Sequence, residues 1–170
     1  NTPMVITVSQ QGYIKRSALE AYKTQHRGGV GSKGVTTKKG DLTANIFVAH
    51  AHDYLLIFTR SGKVFWKKVH QLPQGEKTTQ GRAIQNLIPI SPDDKVSSIL
   101  KVSKLHDPQY LQDRYLIFST VKGIIKKTPL LAYAKPRLKG IHAINIKPGD
   151  TLLDVAITQG KDHIILASRA

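Results

Sequence analysis

One pattern is written three times along this chain and limits its fold more than any other feature. An apolar, β-branched run leads to a glycine, and a basic pair follows. The copies are Met4-Val5-Ile6-Thr7-Val8-Ser9-Gln10-Gln11-Gly12, Tyr54-Leu55-Leu56-Ile57-Phe58-Thr59-Arg60-Ser61-Gly62 and Tyr115-Leu116-Ile117-Phe118-Ser119-Thr120-Val121-Lys122-Gly123. Lys15-Arg16, Lys67-Lys68 and Lys126-Lys127 come after the three glycines, and a fourth copy begins at His163 and reaches Ala170 without its glycine. Repeats of this kind bury their apolar faces only against one another. A charge fixed within each unit is then repeated in space, and a stripe of Lys and Arg is how proteins follow a phosphate backbone.

Two further landmarks recur. Gly81-Arg82-Ala83-Ile84 and Gly140-Ile141-His142-Ala143 share one grammar, with Gly34-Val35-Thr36-Thr37 a weaker version. Acidic turns at Gly40-Asp41, Asp93-Asp94 and Gly149-Asp150 each precede another apolar run. Each unit therefore reads strand, glycine turn, strand, basic loop, strand, acidic turn, strand. Val, Ile, Thr, Tyr and Phe dominate the runs, as a half-buried pleated surface requires. The expected fold class is all-β, a β-propeller of four-stranded blades forming one partial domain over 1–170. The units fall at about 4–53, 54–113 and 114–162, with 163–170 opening a fourth. About three blades and one strand leave the ring incomplete, so the expectation is a fragment, or closure by exchanging strands with another chain. Ala18 to Lys23 is the one plausible helix, too short to stand alone.

The charge balance points to a partner. The chain has 26 Lys+Arg against 11 Asp+Glu, a net charge of +15 and a pI of about 10.1. Such an excess opposes compaction and is relieved by a polyanion, nucleic acid foremost. A membrane is disfavoured, because the apolar runs have strand period and fall far short of the roughly 20 residues that span a bilayer. With no cysteine there is no disulfide framework or thiolate metal site. The expected location is the cytoplasm.

Between the first hairpin and the next strand lies Gln25-His26-Arg27-Gly28-Gly29-Val30-Gly31. It resembles the seven-residue box, Gln-(Arg/Lys)-Arg-Gly-Gly-(Arg/Lys)-Gly, in the first blade of the DNA gyrase A C-terminal domain. Leu56-Ile57-Phe58-Thr59, Gly62-Lys63-Val64, Leu72-Pro73, Asn86-Leu87-Ile88 and Gly140-Ile141 also look like blade signatures of that family. The resemblance implies a β-pinwheel whose blades share strands, with double-stranded DNA wrapped on a basic rim. It further implies a non-catalytic part of an ATP-dependent, bacterial, nucleoid-associated topoisomerase that introduces negative supercoils. The implied partners are the N-terminal cleavage-religation domain of the same polypeptide and the ATPase protein of the A2B2 holoenzyme. Five of the seven box positions match; His26 and Val30 stand where the family has basic residues. The C-terminal domain of the A-type protein of topoisomerase IV, which has a degenerate box, is the alternative, and a protein-interaction propeller is another.

The expected DNA-binding residues are the box, Gln25, His26, Arg27, Gly28, Gly29, Val30 and Gly31, whose glycines let backbone N–H groups approach phosphates. The expected basic rim comprises Lys15, Arg16, Lys33, Lys38, Lys39, Lys67, Lys68, Lys77, Arg82, Lys126, Lys127, Lys135, Arg137 and Lys139. Gly29 to Gly34 formally matches G-x-G-x-x-G, but lacks the apolar strand before it and the helix after it that a dinucleotide site needs. His50-Ala51-His52 has metal-ligand spacing but no companion cluster, so no metal is expected. No cofactor is expected. No nucleophile elbow or carboxylate pair in an apolar context marks a catalytic residue. Phe65-Trp66 reads as core packing in preference to a base-stacking platform.

Overall fold

A computed structural model describes residues 2–23, 43–76 and 78–159. Its strands are β1 (Pro3–Ser9), β2 (Tyr13–Ala18), β3 (Thr43–His50), β4 (Tyr54–Thr59), β5 (Lys63–Lys68) and β6 (Arg82–Ala83). There follow β7 (Val96–Val102), β8 (Arg114–Thr120), β9 (Ile125–Pro129), β10 (Ile141–His142) and β11 (Leu152–Gln159). The expected helix shrinks to one turn, α1 (Glu20–Lys23), and a second turn, α2 (Pro108–Leu111), sits in the 103–113 connection. Asp107 caps α2 by accepting from the Gln109 N–H at 2.9 Å, and Pro108 opens it where no N–H is needed.

Every strand pairs antiparallel. The sheets run β3-β1-β2-β6, β10-β5-β4-β7 and β11-β8-β9. The short strands after the basic loops of the second and third repeats do not join their own repeats as the linear reading suggests. β6 lies in the second repeat yet pairs with β2 of the first, and β10 of the third pairs with β5 of the second. This exchange shapes the division of the chain into two compact units, 1–53 with 67–89, and 54–66 with 90–170. The first unit thus takes a loop and a strand from the second repeat.

The three hairpins are built alike. Gly12, Gly62 and Gly123 have φ of +87°, +95° and +90°, and each N–H donates at 3.0 Å to the carbonyl three residues back. The side-chain oxygens of Ser9, Thr59 and Thr120 accept from the N–H groups of Tyr13, Lys63 and Ile124 at 3.0–3.1 Å. A three-residue loop ending in a left-handed residue joins strands with the native twist, and glycine occupies that conformation without strain.

In the larger unit the core includes Leu56, Phe58, Val64, Trp66, Leu116, Phe118, Leu130, Tyr133, Ile144 and Val155, all buried. In the smaller unit Val5, Ile6, Val8, Ile14 and Ala49 are buried. Phe65 and Trp66 are both buried, on opposite faces of β5, and the Trp66 indole N–H donates to the Tyr133 carbonyl at 3.0 Å.

Candidate nucleic-acid interface

The box residues Gln25, His26, Arg27, Gly28, Gly29, Val30 and Gly31 lie outside the described residues, as do Lys33, Lys38, Lys39 and Lys77. Arg82, Lys126, Lys127, Lys135, Arg137 and Lys139 are exposed, and Lys67 and Lys68 are half-buried.

Lys15 departs from its expected place on the rim. It is 2% exposed, and its ammonium donates to the Glu76 carbonyl at 2.9 Å and to the Thr79 carbonyl. Burial holds its pKa below the ordinary lysine value. Arg16 beside it is also engaged, its Nε donating to the Leu72 carbonyl at 2.8 Å. The Ser17 hydroxyl donates to the Gly75 carbonyl at 2.7 Å, and Arg16 forms a parallel bridge with Gln74. The first basic pair is therefore an inward clamp on the loop leading to β6, not an open phosphate contact.

Exposed cations cluster instead on the loops that lead into the exchanged strands. Lys135, Arg137 and Lys139 stand on the stretch between the 3-10 turn Leu130–Tyr133 and β10, with Leu138 94% exposed among them. The Gly140 N–H closes this loop on the Arg137 carbonyl at 3.0 Å. Pro136 within it bars regular hydrogen bonding, so the stretch stays a loop with its charges in water. In the smaller unit Arg82 stands on β6 itself, at the place of Ile141: its backbone pairs with Ile14 while its side chain is exposed.

Sequence reasoning passed over other exposed cations, Arg60, Lys95, Lys122 and Lys147, at the hairpin-turn ends of the larger unit. They occur singly, so the search for pairs does not find them. Acidic residues there serve the fold. Burial works against the Asp94 carboxylate, but hydrogen bonds from the Ser61 hydroxyl, Thr59 and the backbone of Ser61 and Lys95 outweigh it, holding its pKa below the usual range. Asp150 repeats the device: burial is outweighed by Thr120, the backbone N–H groups of Lys122 and Thr151, and the Lys122 charge. The acidic turns thus use their carboxylates chiefly on hydroxyl and backbone N–H groups, and at Asp150 also on the Lys122 charge.

His50 and Asp53 lie 3.8 Å apart, and the His52 and His70 rings meet edge on. Among the described residues no three His, Cys, Asp or Glu side chains are grouped to hold a metal. No helix among them is long and apolar enough to cross a membrane.

Comparison with known proteins accounts for this arrangement. The family model of the DNA gyrase C-terminal domain, a β-propeller, matches residues 3–50, 53–103 and 114–159. The chain is 40% identical over 167 residues to the DNA gyrase A protein of Aeromonas salmonicida, covering 98% of this chain and 18% of that protein. It is 42% identical over 165 residues to the DNA gyrase A protein of Neisseria gonorrhoeae, covering 97% and 18%. The chain thus spans about a fifth of the length of these curated relatives. Among solved structures, the C-terminal domain of DNA topoisomerase IV superposes with a TM-score of 0.75 at 28% identity, covering 92% of this chain and 46% of that one. A DNA gyrase A C-terminal domain superposes with a TM-score of 0.67 at 22% identity, covering 92% and 48%, a likeness of fold. Three matched spans, each holding one hairpin and the long strand that flanks it, leave one assignment: the chain belongs to the DNA gyrase C-terminal domain family of β-propellers.

Proposed function

We propose that this chain binds and wraps double-stranded DNA, independently of sequence, as an accessory part of the DNA gyrase A protein. The observation that carries this reading is the exposed cations, Arg82 on β6 of one unit and Lys135, Arg137 and Lys139 on the loop before β10 of the other, on a chain of net charge +15. Phosphate contacts position a protein on a duplex without reading bases, and these side chains have the charge and exposure for it. Lys67 and Lys68, the box over 25–31, and Lys33, Lys38, Lys39 and Lys77 are further phosphate contacts in this reading. The chemistry of strand cleavage would belong to the cleavage-religation domain of the same polypeptide, and ATP turnover to the partner ATPase protein. The wrap would present a DNA crossing of fixed hand to that core, directing negative supercoiling in the bacterial cytoplasm.

Ligation of nicked circular DNA in the presence of the protein tests the wrap. A change in linking number that grows with protein concentration is expected; an unchanged linking number over a range that saturates DNA binding rejects wrapping. The corresponding part of topoisomerase IV is the second reading, favoured by the higher TM-score and identity of that solved domain. It predicts DNA binding with little change in linking number, since a degenerate box anchors the wrap less firmly.

A further inference from the structure

Among the described residues, Leu138 is the large hydrophobic side chain most open to water: it is 94% exposed, and the next, Leu131, is 65% exposed. A single exposed leucine is ordinary on a protein surface. What sets this one apart is where it stands. Leu138 and Lys139 form the tip of a turn that the Gly140 N–H closes on the Arg137 carbonyl at 3.0 Å. Arg137 and Lys139 on either side are exposed too. No Asp or Glu occurs between Asp113 and Asp150, a stretch that holds eight Lys and Arg.

Both ends of the loop that carries this turn are fixed to the second hairpin. Gly140 crosses β5 so closely that a Cβ there would stand 2.6 Å from Phe65 Cε1 and 2.8 Å from the Val64 carbonyl oxygen. Ile141 then pairs with Val64. At the other end the Tyr133 carbonyl accepts from the Trp66 indole N–H at 3.0 Å, and the Tyr133 hydroxyl donates to the Ala143 carbonyl at 3.0 Å. Pro136 restricts the chain between them. The tip is presented preformed, so a contact there costs little ordering. In the smaller unit the same place, two residues before Gly81, is held by Thr79, which is also exposed. Its hydroxyl donates to the Glu76 carbonyl at 2.9 Å, a bond within its own loop that a leucine cannot make.

Positive charge without acidic neighbours selects a polyanion, and an apolar tip set in that charge calls for an apolar group on the polyanion. A DNA duplex offers one, the 5-methyl of thymine on the floor of the major groove. We infer that Leu138 enters the major groove of bound duplex and packs against thymine methyl groups, while Arg137 and Lys139 hold the phosphates at its sides. On the DNA-wrapping reading, on which this depends, Leu138 adds a base contact to a path otherwise set by phosphates.

Width and bending both select the major groove. The Cα atoms of Arg137 and Lys139 span up to about 7 Å. With their side chains spread on either side, the tip is too broad for a minor groove about 6 Å wide, and a major groove of about 12 Å admits it. An apolar wedge in the minor groove kinks a duplex toward its major groove, away from the protein that inserts it. A duplex that wraps the protein bends the other way. Thymine beneath Leu138 would bias the register of the wrap, with phosphate contacts still supplying most of the affinity.

The test titrates full-length protein, unsubstituted or Leu138→Ala, at fixed salt with an alternating A·T duplex and with the same duplex holding deoxyuridine for thymidine. The two duplexes differ only in the 5-methyl groups, and the alternation makes register irrelevant. The thymine-over-deoxyuridine affinity ratio is expected to be about fourfold larger for the unsubstituted protein than for Leu138→Ala, the worth of one buried methyl. Leu138→Met, which keeps an apolar tip, should retain the larger ratio. Equal ratios in the unsubstituted and alanine proteins overturn the inference. They would arise if the substitution weakened both duplexes alike, as a sugar-phosphate contact would, or neither, as a leucine that docks on another protein would. Salt-sensitive binding with equal ratios removes the methyl contact alone; no binding of either duplex removes it together with the DNA-wrapping reading.

Discussion

The ring of Phe118 meets that of Phe58 edge to face, 5.6 Å between centroids and 78° between planes. Phe58 adjoins the hairpin threonine Thr59, whereas Ser119 stands between Phe118 and Thr120. Successive strand residues point to opposite faces, so the two sheets contribute opposite faces to one core. Front-to-back stacking is what allows a repeated sheet to bury both of its sides.

Replacing Phe118 by alanine would empty the centre of that stack, where Tyr133 also packs. A loss of about 3–5 kcal/mol is expected for an aromatic truncated in a well-packed core. Urea unfolding should show a lower midpoint with little change in slope.

The hairpin and crossing glycines should respond differently to alanine. At Gly123 nothing lies within 4 Å of an added Cβ, so Gly123→Ala meets only the cost of positive φ, about 1 kcal/mol. At Gly140, with φ of +70°, the methyl also strikes the Phe65 ring and the Val64 carbonyl. Overpacking there adds roughly 1–3 kcal/mol. Equal losses in thermal or urea unfolding would show that the crossing strand yields.

What could be read from the sequence, and what could not, divides along the range of the interactions. Hairpins, turn glycines and acidic turns are local, and β7 falls at Val96–Val102 where the apolar run places it. Strand alternation requires one of Phe65 and Trp66 to face inward; that both are buried, on opposite faces of β5, depends on cover from Gly140 and Tyr133 far along the chain. The burial of Lys15 has no local signal: its carbonyl partners are about sixty residues away, and a lysine next to an arginine reads as solvated charge. Strand exchange is hidden for the same reason, since β6 and β10 are two-residue strands whose partners lie in another repeat. Among the candidate interface residues, Lys135, Arg137 and Lys139 were legible as cations of a basic loop; that this loop leads into an exchanged strand was not.

Acid should weaken the larger unit through Asp94. Its folded pKa lies below the ordinary value of 3.8, so the stabilisation is fully present well above 3.8. It is lost as pH falls through the lowered folded value. Asp94→Asn should flatten the pH dependence of the urea midpoint between about pH 5 and pH 2. An unchanged profile would mean that the Ser61 turn holds without the carboxylate.

Duplex binding should weaken steeply with salt, with log K falling against log[salt] at a slope of about −5 to −7 if on the order of 6–8 phosphates are neutralised. Arg82→Gln or Lys139→Gln should each reduce that slope by about 0.9, equally on unrelated DNA sequences. A slope near zero in the unsubstituted protein would remove the basis for a phosphate-following surface.

The borrowed edge strands also bear on synthesis. β2 leaves the ribosome well before its outer partner, Arg82–Ala83, which is made only after the whole second hairpin. Chains emerge at about 5–20 residues per second, so the first sheet waits several seconds with its outer edge open. The first two nascent modules are each completed by their successor, and a ribosome stalled between them leaves a strand exposed to whatever pairs with it first.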